Sequence, residues 1–377
     1  MAPTREIRWG ILATGAISVT FAKDLLLDPS ARGVNNIRHT IAAAASSSSS
    51  TRAEMFLKDV GAPAAARAYG TYEELVRDSN VEIVYVATPH SHHFQNVMLC
   101  LDAGKHVLCE KAFTVNAPQA RLLVDKAREK NSFLMEALWT RYFPLADYVY
   151  DIIRSGRLGT IHRVFSDCSV RLSPETSYND GQHRMVNPAL AGGALLDLGV
   201  YSLTWPFFTF YRDQPSQDQP RVVSSMKKYG PSSADETTTM ILTFPREASA
   251  GGDAHAIATT SIRVGNLAND QNPQASSTKL ILADGTVEEK EWPKPGPGKG
   301  SGWYNGFLHH MNPEGEGQGM FWEADEAAFA ILEGRKEGKN LNLMESVAIL
   351  EVLDEVRRQG GLAYPADIEA VDYPVDL

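Results

Sequence analysis

A lysine at the end of an apolar segment is the first residue whose position suggests chemistry. Residues 104–109 have the composition of a short buried strand, and Glu110 and Lys111 follow directly. In an open parallel α/β sheet, ligands bind just beyond the carboxyl ends of the strands. An isolated Glu-Lys pair is more often an ordinary surface feature that ends a strand. Lys111 is therefore a candidate catalytic residue whose role depends on the rest of the chain.

A second pair of residues with suitable spacing lies in the other half of the chain. Asp197 and Tyr201 are four residues apart, so on a helix they share one face. Gly192 and Gly193 precede them, and glycines allow a chain to pass close to a ligand. The simpler interpretation is an interfacial tyrosine and a surface aspartate. Behind a nicotinamide-binding domain, the two side chains are instead suited to substrate binding and proton transfer.

The elements that could position Lys111 lie in the first 137 residues. Apolar strand-like segments alternate there with helix-like segments, which is typical of a doubly wound parallel sheet. The first strand runs into the turn at residues 13–18 and then a helix, as a dinucleotide fingerprint requires. Ala13 and Ser18 replace the first and last glycines of that motif. Gly15 is kept where the backbone must approach a pyrophosphate, which the helix amides can bind.

The end of the second strand indicates which dinucleotide is bound. An NAD site has an Asp or Glu there to bind the ribose 2′-hydroxyl. This chain has instead a run of serines from Ser46 to Ser50, followed by Arg52. Hydroxyl groups and a guanidinium can receive a 2′-phosphate, so NADP is the predicted cofactor.

Three histidines follow the strand-like segment at residues 81–87 and raise the question of a metal site. Imidazole is a common zinc ligand, but no carboxylate or thiolate stands at ligand spacing from His90, His92 and His93. We therefore expect no metal, and we interpret residues 88–93 as a loop that lies along the cofactor.

The pattern changes after residue 138, where longer alternating segments begin. Strands are predicted at residues 161–172, 221–229, 237–244, 256–264 and 278–282, and helices at 145–155, 324–333 and 345–359. We expect an α+β domain built around one large, mainly antiparallel open sheet. The predicted fold class is α/β, with a Rossmann domain at residues 1–137 and a substrate-binding and dimerisation domain at residues 138–377.

Composition argues against several classes of protein. The chain has 377 residues, of which 43% are hydrophobic and 22% charged, and this length allows two domains with separate cores. Its net charge of -10 argues against a nucleic-acid or membrane-surface partner. Its three cysteines have no spacing typical of disulfide frameworks or zinc sites. Because no apolar segment has membrane-spanning length, we expect a cytoplasmic protein.

Six segments of the chain resemble the Gfo/Idh/MocA oxidoreductase family, and the resemblance extends over nearly the whole chain. They are most similar to its branch of dimeric dihydrodiol dehydrogenases and fungal NADP-dependent D-xylose 1-dehydrogenases. The resemblance is carried by residues 9–15, 87–90, 109–112, 135–144, 193–201 and 317–326. Two positions depart from the family pattern. His90 stands where the family has an asparagine, and Ala112 stands where it has the proline after the lysine.

The resemblance implies a set of site residues and a homodimer formed through the open sheet. The catalytic residues would be Lys111, Tyr201 and Asp197. The substrate-binding residues would be Lys111, Trp139, Phe143, Asp197 and Tyr201. The cofactor-binding residues would be Ala13, Thr14, Gly15, Ala16, Ile17, Ser46, Ser47, Ser48, Arg52, Ala87, Thr88, Pro89, His90, His93, Glu110, Lys111, Trp139 and Arg141.

The reaction that the resemblance implies is oxidation of an aldose at C1, with D-xylose as the favoured substrate. The hydroxyl on that carbon must lose a proton as hydride leaves for the nicotinamide. Tyrosine, with a pKa of about 10, is a poor base, and we expect the Lys111 ammonium to lower the pKa of Tyr201. Tyr201 would relay the proton while Lys111 polarises the substrate oxygen, or the two would exchange roles. The alternatives are a trans-dihydrodiol dehydrogenase, a dicarbonyl or ketosugar reductase, and a non-catalytic NADP-binding sensor.

Overall fold

A six-stranded parallel sheet forms the first part of this computed structural model, which describes residues 4–178, 181–214, 217–265, 275–307 and 313–375. The strands lie in the order β3-β2-β1-β4-β5-β6. They are β1 (Arg5–Leu12), β2 (Ile37–Ala45), β3 (Arg67–Tyr69), β4 (Ile83–Val86), β5 (His106–Glu110) and β6 (Leu134–Ala137). The strand order reverses between β1 and β4, which places a ligand crevice beyond their carboxyl ends. The predicted doubly wound sheet is confirmed.

Five helices connect these strands. They are α1 (Ala16–Leu25), α2 (Ser50–Asp59), α3 (Tyr72–Arg77), α4 (His90–Asp102) and α5 (Ala117–Glu129). The side chains of Ser49, Thr71 and Asn116 cap α2, α3 and α5 by accepting from backbone amides. The predicted loop over residues 88–93 is wrong in its second half. Pro89, whose φ is fixed near the helical value, is the N-cap of α4, so the three histidines lie on its first turn.

The second sheet has four strands in the order β7-β10-β9-β8. They are β7 (Arg163–Ser169), β8 (Arg221–Lys228), β9 (Asp235–Phe244) and β10 (Ala254–Ser261). β9 pairs antiparallel with both neighbours, and β7 pairs parallel with β10. On one face of this sheet lie α8 (Val200–Phe210), against β7 and β10, and α10 (Leu343–Gly360), against β8.

One strand predicted for this sheet lies elsewhere. β11 (Ser277–Ile281) pairs with β12 (Val287–Glu291) as a separate two-stranded ribbon. A short turn through Asp284 and Gly285 joins them, and Gly285 takes the positive φ that such turns favour. The expectation of a single sheet was wrong because the local hairpin pairing leaves β11 outside the larger sheet.

The end of the chain returns to the first sheet. The remaining helices are α6 (Pro144–Arg154), α7 (Pro174–Ser177), α9 (Met320–Glu333) and α11 (Ala366–Glu369). α9 packs against α1, and α10 packs against α5. The carboxylate of Asp24 in α1 caps α9 by accepting from the backbone nitrogens of Gln318 and Met320, at 3.0 and 2.9 Å. Within the ranges described above, no helix combines the length and apolar character needed to cross a membrane.

Candidate active site

Lys111 stands directly after β5, at the edge of the sheet where a ligand crevice is expected. Its Nζ donates to the backbone oxygen of Asp197 at 2.6 Å and to Asp197 Oδ1 at 3.0 Å. The same ammonium lies 5.1 Å from the centroid of the Tyr201 ring. The structure thus brings together Lys111, Asp197 and Tyr201, which the sequence places up to 90 residues apart.

Asp197 and Tyr201 lie on one continuous helical segment, in which a wide π-helical turn, Leu195–Gly199, leads into α8. The start of that turn has no side-chain cap of its own. Asp235 from β9 supplies one, because its Oδ2 accepts from the Leu195 backbone nitrogen at 2.5 Å. This carboxylate is buried and positions the beginning of the segment.

The glycine pair before this segment serves packing within the protein. A Cβ on Gly193, which has φ +140°, would collide with the Asp235 carboxylate. A Cβ on Gly192 would collide with the backbone of Arg184 and Asn187. The expected close approach of a ligand to these glycines is therefore replaced by close approach of protein atoms.

Two further groups surround the Asp197 carboxylate. Arg184 Nη1 donates to Asp197 Oδ1 at 2.9 Å, and His90 Nε2 lies 3.9 Å from the same oxygen. Burial alone would favour the neutral acid, but the charges of Arg184 and Lys111 hold the pKa of Asp197 well below its usual range. Asp197 is thus an ionised group that orients both cations. Arg184 could not be predicted from the sequence, because it lies in an irregular segment without periodicity.

Tyr201 is held by Trp139, whose indole nitrogen donates to the phenol oxygen at 2.5 Å. Burial raises the pKa of Tyr201 well above 10, and the nearby Glu110, Cys168 and Asp197 add to this effect. The expectation that Lys111 lowers this pKa was wrong, because burial dominates and the nearby acidic groups act in the same direction as burial. Tyr201 is therefore a neutral phenol that can donate its own hydrogen bond.

An aromatic surface extends from Trp139. The Trp139 ring lies 6.0 Å from Phe143 and 5.6 Å from Phe307, measured between centroids. Phe143 in turn contacts Trp322 at the start of α9, with centroids 5.1 Å apart. These edge-to-face contacts build a rigid apolar wall beside the Tyr201 hydroxyl.

Arg141 does not belong to that wall, and the expectation that it lines the pocket is wrong. Its side chain is fully buried and forms a short ion pair with Glu345 of α10. The remaining nitrogens donate to the backbone oxygens of Thr204 and Asn340, at 3.1 and 3.2 Å. All parts of the guanidinium are thus used to join α8 and α10 to the segment after β6.

Glu110 is buried beneath Lys111 and is tied to the first sheet. Tyr85 of β4 donates to Glu110 Oε1 at 2.5 Å, and the Lys111 backbone nitrogen donates to Oε2 at 3.2 Å. Burial raises the pKa of Glu110, although the Lys111 charge opposes this shift. These two bonds fix the backbone from which Lys111 projects.

The turn after β1 fits a dinucleotide phosphate. Ala13 has φ +78°, a left-handed conformation that favours glycine, and its nitrogen donates to Ala45 O. Gly15 is the N-cap of α1, makes no side-chain cap, and has open space where a Cβ would stand. The first backbone N–H groups of α1, beside Thr14, Ala16 and Ile17, can therefore donate hydrogen bonds to an anion.

The end of β2 presents hydroxyl groups and one cation. Ser46 is buried, with its Oγ 2.9 Å from Ser48 Oγ, whereas Ser47, Ser48 and Arg52 are exposed. Ser49 caps α2, so Arg52 lies on the first turn of that helix. This combination suits a 2′-phosphate and contains no carboxylate.

His90 and His93 connect backbone segments around the site. His93 is buried between the carbonyl oxygens of Ala112 and Thr88, at 2.8 and 2.9 Å, and burial lowers its pKa to about 4. His90 Nδ1 lies 3.2 Å from Ala191 O. His93 thus holds the segments after β4 and β5 together. Over the described ranges, no cluster of three His, Cys, Asp or Glu side chains could hold a metal ion.

Two family models match the chain. One, described as "Oxidoreductase family, NAD-binding Rossmann fold", covers residues 7–138. The other, described as "GFO/IDH/MocA C-terminal domain", covers residues 147–265. The chain belongs to the Gfo/Idh/MocA oxidoreductase family. The family predicted from the sequence is confirmed.

Curated relatives of this Gfo/Idh/MocA protein extend over nearly its full length. It is 47% identical to D-xylose 1-dehydrogenase (NADP(+)) of Hypocrea jecorina, over 95% of this chain and 93% of that protein. It is 34% identical to trans-1,2-dihydrobenzene-1,2-diol dehydrogenase of Bos taurus, over 96% and 99% of the two chains.

Solved structures share the fold of this Gfo/Idh/MocA protein at lower identity. An aldose-aldose oxidoreductase from Caulobacter crescentus, complexed with glycerol, has a TM-score of 0.71 at 20% identity and covers 95% and 98% of the two chains. A 3-ketoreductase from Actinomadura kijaniata, in complex with NADP and TDP-benzene, has a TM-score of 0.69 at 20% identity and covers 94% and 98%.

Proposed function

We propose that this protein is an NADP-dependent dehydrogenase that oxidises an aldose, with D-xylose favoured, at C1 to the lactone. The observation that carries the proposal is the contact of Lys111 with Asp197 and Tyr201 at the end of β5. A 47% identical relative named D-xylose 1-dehydrogenase (NADP(+)) supports the choice of substrate and cofactor.

In this proposal the residues of the cluster have distinct roles. The nicotinamide cofactor, when bound, accepts the hydride. Lys111, held in place by Asp197, polarises the oxygen of the substrate hydroxyl. Tyr201 would first release its own proton to solvent, and its oxygen, to which Trp139 donates a hydrogen bond, then takes the proton of the substrate hydroxyl as hydride leaves. Trp139 and Phe143 provide an apolar surface for the nicotinamide and the sugar ring.

The proposed cofactor site runs along the carboxyl ends of β1, β2, β4 and β5. The phosphates would lie on the turn at residues 13–17, and the 2′-phosphate beside Ser46 to Ser48 and Arg52. Thr88, Pro89 and Glu110 would border the nicotinamide half, with Ala87, His90 and His93 supporting them. Arg141 is no longer included, because its guanidinium is used within the protein.

A panel of initial rates tests the proposal. Purified protein would be given aldoses and trans-dihydrodiols, with NADP and NAD in parallel, and absorbance of the reduced nicotinamide followed. We expect fast oxidation of D-xylose with NADP and little with NAD. Faster turnover of a trans-dihydrodiol would replace the aldose proposal with the second candidate, which is supported by the 34% identical relatives. Tight NADP binding without turnover would support a sensor instead.

We also propose that the protein is a cytoplasmic homodimer joined through the second sheet. The ladder registers align Phe165, Ile257, Ile241 and Val223 in one row across all four strands. Phe165, Ile241 and Val223 are 66%, 50% and 68% exposed, on the face opposite α8 and α10. A continuous apolar row of this kind is typical of a protein interface.

A division into domains at residues 1–137 and 138–377 fits the end of the first sheet at β6.

A further inference from the structure

Arg184 reaches the catalytic cluster from the solvent side. Its side chain is 53% exposed, yet its guanidinium donates to Asp197 Oδ1 at 2.9 Å. The same oxygen accepts from Lys111 Nζ at 3.0 Å. One buried carboxylate oxygen is thus shared by two cations. One stands directly after β5, and the other lies in the irregular segment before the π-helical turn.

The backbone that carries Arg184 is fixed. Met185 and Val186, the next two residues, are buried in a small separate core with Leu198 and Ile262. Gly192 packs against the Arg184 carbonyl so closely that no Cβ fits between them. The fold therefore sets where the guanidinium can reach, although the side chain itself is half exposed.

Most of the guanidinium remains available for a ligand. Arginine carries five N–H donors, and within the described ranges only Asp197 accepts a hydrogen bond from Arg184. The aromatic surface of Trp139 and Phe143 offers a sugar apolar contacts and few hydrogen-bond partners. A polyhydroxylated substrate needs donors and acceptors for the hydroxyl groups that do not react.

We infer that Arg184 is a substrate-binding and positioning residue, which orients Asp197 with one nitrogen and binds unreacted hydroxyl groups of the polyol substrate with the others. This inference rests on the proposed function. It makes Arg184 a determinant of substrate specificity, since a substrate without those hydroxyl groups would leave its donors unpaired.

The charge of Arg184 also acts on proton transfer. A second cation beside Asp197 favours the phenolate of Tyr201, so it assists transfer of the substrate proton to that oxygen. The charged and titratable groups that face this site from the surrounding elements are Lys111, Asp197, Glu110, His90, Cys168, Tyr178 and Tyr201, with His183 stacked on Tyr178.

The test compares Arg184→Gln with Arg184→Lys in the full chain. For Arg184→Gln we expect kcat/KM for D-xylose with NADP to fall about 10- to 100-fold, mainly through KM. The acid limb of the kcat/KM pH profile of Arg184→Gln should move to higher pH, because the positive charge that favours the phenolate of Tyr201 is gone. Arg184→Lys should keep the wild-type limb and lose affinity only.

A control and a second measurement separate this role from a structural one. Glu175→Gln removes an exposed ion pair between α7 and Arg263 and should leave KM and the pH profile unchanged. Reaction of the Lys111 amine with trinitrobenzenesulfonate, followed by peptide mass spectrometry, should slow in Arg184→Gln, because Asp197 then holds the ammonium alone.

Each outcome decides the inference. Unchanged labelling of Lys111 in Arg184→Gln would overturn it, as would an equal loss in Glu175→Gln or an unchanged KM. If wild-type protein oxidises no aldose, the proposed function fails, and the labelling result still decides whether Arg184 acts on Lys111.

Discussion

At the scale of single residues, Tyr201 gives the sharpest expectation. Tyr201→Phe removes the only hydroxyl that the proposal gives to proton relay and keeps the ring beside Lys111. We expect kcat to fall about 10²- to 10⁴-fold, with NADP affinity unchanged in a fluorescence titration. Tyr150→Phe is the control, since the Tyr150 hydroxyl on α6 donates to Asp213 at the protein surface, away from Lys111. Undiminished turnover of Tyr201→Phe would remove the tyrosine from the mechanism.

Arg141 is expected to matter for stability. It and Glu345 are each 1% exposed, and removing one partner of a buried ion pair costs about 3–5 kcal/mol. Arg141→Met should therefore lower the free energy of unfolding in a denaturant titration, while the folded fraction keeps its NADP affinity. Arg121→Met, which breaks an exposed pair with Glu351, should cost about 1 kcal/mol or less. A specific loss of NADP affinity would return Arg141 to the cofactor site.

The sequence could place Lys111, Asp197 and Tyr201 but not their partners. Lys111 follows a strand and Tyr201 follows a glycine pair, so local pattern and resemblance identify them. Arg184 and Asp235 act on the same segment from positions that no local pattern marks. Their roles depend on tertiary contacts, as does the raised pKa of Tyr201, which follows from burial.

At the scale of elements, the cap on the helical segment that carries Asp197 and Tyr201 is expected to depend on pH. Burial raises the pKa of Asp235 from 3.8 to about 7. The folded state therefore holds this proton over a range where the unfolded chain has released it, so the contribution to stability falls as pH rises from about 4 to about 7. The slope is at most about 1.4 kcal/mol per pH unit.

Asp235→Asn tests this expectation, because asparagine still accepts from the Leu195 nitrogen but cannot titrate. The difference in unfolding free energy between wild type and Asp235→Asn should change in favour of the variant between about pH 4 and about pH 7. Parallel pH profiles for the two proteins would show that Asp235 does not titrate in this range. Asp235→Ala, which removes the cap, should be less stable than Asp235→Asn at every pH.

The type of most elements could be predicted, because periodicity is a local property. Their ends and pairings could not always be predicted. The histidines were separated from α4 although Pro89 marks its start, and β11 was assigned to the larger sheet although its partner β12 follows a tight turn. Strand pairing depends on which edges meet, and alternation alone does not specify this.

At the scale of the whole molecule, the apolar row on the second sheet is expected to hold two copies together. Ile241 lies near the middle of that row, and Ile241→Lys would place a charge in the interface. We expect a dimer for the wild type and a monomer for the variant by sedimentation equilibrium. Leu332→Lys, which changes a similarly exposed apolar residue on α9, should leave the dimer intact. A monomeric wild type would contradict the proposed interface.

The cap that Asp24 places on α9 has a consequence for how such a protein can change in evolution or in the laboratory. The carboxylate that caps α9 belongs to α1, the helix that follows the dinucleotide turn. Exchange of residues 1–137 as a unit would remove Asp24, and with it the cap that this chain places on α9. We therefore expect substitutions in the proposed 2′-phosphate site at Ser46 to Ser48 to disturb the protein less than exchange of the whole module.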